Sequence, residues 1–240
     1  MLEISSNEKW VSVHPVVLSL VAALALTKRK ENIKCDKFEA KSSNYFIRMG
    51  LYKILGVEED VIEKHEAAGR FIPLTQIKTS DELNRFITDM IPLLHLEPER
   101  AETLVYIVDE LVRNVTEHAK AEHGGMICAQ YYKKSNTIRI GIVDTGVGIQ
   151  PTINKSHPVS SDIDAIRLAL TPGITGTTKK EGGTAQNAGA GLFFIKSIAN
   201  INRDFFLIYS GNAFYKLLRR SAPSKQQKLF ADPFADRHSK

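Results

Sequence analysis

The sequence predicts an α/β fold, an α+β sandwich of helices layered on sheet, from three observations. Leu104, Ile107, Val108, Leu111, Val112 and Val115 recur at the intervals of a one-faced helix. Two apolar, β-branched runs, "MICAQYYK" and "TIRIGIVD", flank "KSN" in the manner of a hairpin. The first 57 residues alternate strand-like and helix-like stretches. At 240 residues the chain holds one large domain or two small ones with a real core.

The elements follow in order. "KWVSV" is a candidate strand. His14-Pro15 opens a helix running to about Lys30, with proline in the first turn where its missing N–H does no harm. Its stretch "VVLSLVAALAL" imitates a targeting signal, but Lys28, Arg29 and Lys30 follow the apolar run where a signal carries its charges first. The run is also too short to cross a bilayer, so a buried helix is expected and no membrane association. "NIKCDKF" alternates as a strand, and "SNYFIRMGLYKIL" predicts one helix capped by Ser43 or Asn44. These segments form a small α/β unit over residues 1–75, with "VEEDVIEKHEAAG" and "FIPLTQI" as the transition to a second domain over 76–220.

In that domain, Thr79 and Glu82 stand at capping-box spacing ahead of a helix, and Pro98 opens the one-faced helix. After His123-Gly124-Gly125 comes the hairpin, then a long loop and a short helix around "SDIDAIRLAL". "TPGITGTTKKEGGTAQNAGAG" has almost no apolar anchor, which fits either disorder or a mobile cover over a site. "LFFIKSIANI" is a helix, and "DFFLIYSG" and "AFYKLL" are strands. Residues 221–240 read as a basic, flexible tail.

The formal charge of +5 is located in one place: Lys216 to Lys240 holds seven Lys or Arg against Asp232 and Asp236. The rest is balanced, and no stripe of arginine and aromatic residues runs through the body, which argues against nucleic acid as a partner. Cys35 and Cys128 match no zinc or redox spacing, so a reducing, cytoplasmic setting is expected.

Three polar groupings stand out. Glu110, Asn114 and His118 lie four apart, on one helical ridge at the border of the apolar stripe. They are either the edge of a helix making local hydrogen bonds or part of a site. Asp144-x-Gly146-x-Gly148 follows a strand, and is either a tight turn or a place where a planar polar group docks against bare backbone. Asn187-Ala-Gly189-Ala-Gly191-Leu192 closes the polar loop and opens a helix.

In this order and in these elements, the three motifs resemble the GHKL, or Bergerat-fold, ATPases, a family that includes sensor histidine kinases and anti-sigma-factor serine kinases. "DELVRNVTEHA" looks most like those two branches, and the resemblance spans roughly Leu96 to Leu218. It implies a Bergerat fold with helices on a mixed sheet, ATP and Mg²⁺ as cofactors, and a protein partner or substrate, with a homodimer left open. Asp144 would accept a hydrogen bond from the adenine amine, and Gly146 and Gly148 would clear space for the ring. Asn114 would hold Mg²⁺, Glu110 would act as general base, and Gly189 and Gly191 would receive phosphate at a helix start. The resemblance also puts Ile149 and Leu192 beside the nucleotide, with His118 either a phosphate contact or a structural hydrogen bonder. Thr175 to Ala188 would be a lid carrying Thr178, Lys179 and Lys180.

Two departures stand in the sequence: Phe193 occupies the place of a last motif glycine, and Gly211 is followed by Asn212 instead of threonine. His65 heads "HEAAGR", but Arg70 stands where a phosphoacceptor motif carries proline, so autophosphorylation there is not expected. The N-terminal unit faintly resembles STAS-like regions, and a plain structural cap accounts for it equally well. The expected function is slow ATP hydrolysis or phosphoryl transfer to a protein in a regulatory role; the alternative is a nucleotide-gated interaction module with little chemistry.

Overall fold

The structure, a computed structural model, describes residues 1–5, 13–35, 43–58, 69–174 and 191–217, without the side chains of Met90 and Leu93. Helices and sheets both contribute, so the fold class is α/β. The chain divides into two compact units, Met1–Gly146 and Val147–Lys240.

In the first unit, β1 (Leu2–Ile4) pairs in parallel with β2 (Ile33–Cys35), and α1 (Pro15–Leu26) lies between them in the chain. The main sheet is antiparallel, with β4 (Gly125–Tyr132) between β3 (Phe71–Ile77) and β5 (Thr137–Asp144). Both faces of β4 are covered. Met126 and Cys128 join the core under α1, while Ile127 and Ala129 join the core under α5 (Pro98–Asn114). The continuous "MICA" run is the signature of a strand buried on two sides.

Helix α1 is keyed to the sheet. Ser19 Oγ donates to the Gly141 carbonyl at 3.0 Å, and Cys128 Sγ donates to the Pro15 carbonyl at 3.3 Å. A Cβ on Gly141 would lie 2.4 Å from Val16 Cα, so only glycine admits the helix this close. Burial pushes the Cys128 thiol up to about 12, which makes it a packing group instead of a nucleophile. His14 caps α1, its Nδ1 accepting from Val16 N at 3.2 Å.

Several expectations are corrected here. The single helix expected over residues 43–55 is two, α2 (Ser43–Arg48) and α3 (Leu51–Leu55), because Gly50 turns left-handed at φ 76° between them. Ser43 begins α2, and its hydroxyl pairs with that of Tyr52 at 2.7 Å. "FIPLTQI", read as a transition, is β3, so the boundary drawn between residues 75 and 76 falls inside a strand. Pro73 and a register shift between Ile72 and Thr75 hid its alternation. Residues 9–12 of the candidate strand "KWVSV" lie outside the described residues; the partner of β2 is β1.

The capping box on α4 (Ser80–Arg85) forms as expected: Thr79 Oγ1 accepts from Glu82 N and Glu82 Oε2 accepts from Thr79 N, both at 3.2 Å.

The second unit contains α6 (Ile149–Ile153), α7 (Asp162–Ala169), α8 (Gly191–Asn202) and a hairpin of β6 (Phe206–Ser210) with β7 (Ala213–Leu217). Its core gathers Ile166, Leu170, Ala199, Tyr215 and Leu217, with Ile149 and Leu192 packed against it. No helix among the described residues is long and apolar enough to cross a membrane.

Candidate functional site

Helix α5 fixes the first group of residues. Leu104, Val108 and Val112 are its buried positions, so the helix turns Glu110 and Asn114 to the rim of the apolar face, where both are half-buried. Asn114 Nδ2 donates to the Glu110 carbonyl at 2.8 Å. That bond engages the nitrogen end of the amide and leaves Oδ1 without a hydrogen bond among the described residues. An oxygen so presented is a hard, neutral ligand.

The Glu110 carboxylate forms no ion pair among the described residues, since Arg113 bridges to Asp109 Oδ2 at 2.9 Å instead. Burial holds the Glu110 carboxyl above its ordinary value, with Asp109 and Glu117 adding to the rise and Arg113 opposing it. Tyr106, one turn earlier on the same ridge, is raised by burial and by the charges of Glu110 and Asp109. The sequence reading missed Tyr106, although its i−4 spacing from Glu110 was there to see.

His118 lies in the turn that ends the helix. After Asn114 the helix widens into a π turn, Val115–Ala119, and ends at Lys120 with φ 51°.

Asp144 ends β5, opposite Gly125 in the sheet. Its Oδ1 accepts from Gly146 N at 2.8 Å, closing a local turn. The other carboxylate oxygen has no hydrogen bond among the described residues. The tight-turn reading is therefore satisfied by one oxygen, and the second stays available as an acceptor. At Gly146, an added Cβ would lie 2.1 Å from the Ala119 carbonyl oxygen. The space freed at this glycine is thus taken by the end of the π turn that follows α5, a contact no local pattern announces.

In the second unit, Gly148 precedes α6 at φ 79° and ψ −179°, a conformation essentially restricted to glycine. Ile149 N donates to Ser210 Oγ at 2.8 Å, and Ser210 is 8% exposed. Ser210 is a further residue that the sequence reading missed. Gly191 opens α8, and Leu192 packs on the core. Phe193, where a glycine was anticipated, is 2% exposed and serves the unit's interior.

At the hairpin turn, Asn212 N donates to Asp162 Oδ2 at 2.9 Å. Gly211 lies against the same carboxylate, at φ 60°.

Glu110, Asn114, His118, Asp144 and Gly146 thus belong to the first unit, and Gly148, Ile149, Gly191 and Leu192 to the second. Thr178, Lys179, Lys180, Asn187 and Gly189 lie outside the described residues, as do His65, the expected lid and the basic tail.

A family model described as "Histidine kinase-like ATPase domain" matches residues 75–201, more than half of the chain. The match begins within β3, takes in all three motifs and stops before the β6–β7 hairpin. No curated protein and no solved structure matches the chain.

Proposed function

The chain belongs to the histidine kinase-like ATPase domain family, and from that premise we propose that it binds ATP with Mg²⁺ and hydrolyses it slowly or transfers its γ-phosphoryl group to a protein. The carrying observation is the pairing on α5: Asn114 presents an amide oxygen while its nitrogen is tied to the carbonyl of Glu110, whose carboxylate, one turn earlier, has no ion pair among the described residues.

The residues suit this cation. Among the described residues no three His, Cys, Asp or Glu side chains gather as a metal site. A cation at Asn114 would therefore complete its shell with phosphate oxygens and water, which is the shell Mg²⁺ favours. When bound, the ion neutralises phosphate charge. Asp144, with one oxygen committed to Gly146 N, offers the other to the adenine amine. Glu110 takes the proton of the attacking water or protein hydroxyl as the new bond to phosphorus forms and the bond to ADP breaks. The setting belongs to the same proposal: a regulatory, cytoplasmic protein with a protein partner, consistent with Cys35 and Cys128 forming no disulfide.

The test is a titration of labelled ATP, with and without Mg²⁺, on wild type, Asp144→Asn and Glu110→Gln, followed by turnover. Asp144→Asn should lose most ATP affinity. Glu110→Gln should keep the affinity and lose about 10²- to 10⁴-fold in rate, the range of a general base. Wild-type turnover retained in Glu110→Gln would refute its assignment as the base. ATP binding with no turnover in any variant would favour the gated interaction module.

A further inference from the structure

We propose that Ser210 and Asp162 are positioning residues that hold Gly148 and Ile149 in the conformation that receives the nucleotide. The inference rests on the ATP reading above and extends it to a hairpin outside the matched family span.

The contacts form a chain within the second unit. Asp162 is the first residue of α7, and its carboxylate accepts from Asn212 N at 2.9 Å. The same carboxylate occupies the place of a side chain at Gly211, where a Cβ would lie 2.3 Å from Oδ1. The β6–β7 turn is thereby fixed to the start of α7. The neighbouring residue, Ser210, is buried, and its Oγ accepts from Ile149 N at 2.8 Å.

That amide belongs to the first turn of α6, where no helical carbonyl is available to it. Ser210 supplies the missing acceptor. A Cβ on Gly148 would stand 2.9 Å from the same oxygen, so the hydroxyl also closes the space beside the glycine. Ile149 is anchored on its other side by packing on the core of the unit. The backbone at residues 148 and 149 is consequently held by a hydroxyl 61 residues later in the chain, and that hydroxyl is set by a turn tied to α7.

A group that acts on ATP only through Gly148 and Ile149 should change affinity without changing the order of the chemical steps. The experiment uses the full chain as wild type, Ser210→Ala, Asp162→Ala and Asp162→Asn. It measures Mg-ATP affinity, turnover at saturating ATP, and hydrogen exchange of the Ile149 amide.

Ser210→Ala should weaken ATP roughly tenfold, the loss of one buried hydrogen bond, and deprotect the Ile149 amide, with turnover at saturation within about twofold of wild type. Asp162→Ala should act in the same direction and more weakly. Asp162→Asn keeps an acceptor for Asn212 N and should restore the affinity. If Ser210→Ala binds ATP like wild type, or Ile149 stays protected in it, the proposal is overturned. The same follows if Asp162→Asn and Asp162→Ala weaken binding equally. If the exchange pattern is as expected and wild type binds no ATP, the ATP reading fails, and with it any role for these residues in nucleotide binding.

Discussion

Gly146 and Gly148 sit two residues apart in one motif, yet the structure requires them for different reasons. Gly146 is a problem of space, because its missing side chain would collide with the backbone of Ala119. Gly148 is a problem of conformation, because its φ of 79° with ψ of −179° is open to few residues besides glycine. The comparison teaches that a glycine motif records the sum of unrelated constraints. Removing each constraint separately tells which belongs to folding and which to the ligand.

The largest effect is expected at Gly146. In Gly146→Ala a carbonyl oxygen lies 2.1 Å from the new methyl, and neither partner is the end of a flexible side chain. The π turn or the Asp144 turn must shift, destabilising the protein by about 3 kcal/mol as an overpacked site does. Urea unfolding measures this. A change under about 1 kcal/mol would mean the turn yields easily and that the close approach is not what demands glycine.

Gly148→Ala should destabilise by roughly 2 kcal/mol, chiefly through backbone strain. A sharper version replaces Gly148 with D-alanine by semisynthesis. Positive φ is the favourable side for a D-residue, so the strain should vanish at this position. Failure of D-alanine to relieve the strain at Gly148 would erase the distinction.

What was legible in the sequence follows the same division between local and distant causes. Helix α5 and the capping box at Thr79 and Glu82 were readable because their signals repeat within a turn or two. The order of the three motifs along the chain was readable as well, and it carried the family. β3 was not, because Pro73 and a bulge interrupt the alternation by which an edge strand is recognised. The short helix α6 was hidden by Pro151 and by a leading glycine, which look like a loop. Ala119 against Gly146 and Ser210 against Ile149 are pairings across long stretches of chain. Nothing in a local window announces them. The family was therefore legible from the order of the motifs, while the contacts that fix the backbone at Gly146 and Ile149 were not.

The smallest expected effect concerns Glu110 and sets stability against chemistry on the one helix that carries both. Burial raises its carboxyl above the ordinary 4.5, so the folded protein holds that proton more firmly than the unfolded chain does. Below pH 4.5 both states are protonated and the group is neutral in the balance. As pH rises through the interval between the two values, the unfolded chain ionises first and the wild type loses stability. Once the folded carboxyl has also ionised, the loss stays constant. Glu110→Gln lacks this loss, so its melting temperature should exceed that of wild type at neutral pH by about 1 °C, a half-exposed group being screened by water. Melts of both proteins from pH 4 to pH 8 should show the gap opening as pH rises and then levelling. A gap that is the same at every pH would mean that burial of the charge is not its source. A more stable, inactive Glu110→Gln is what a carboxylate kept for reaction at the expense of packing should produce.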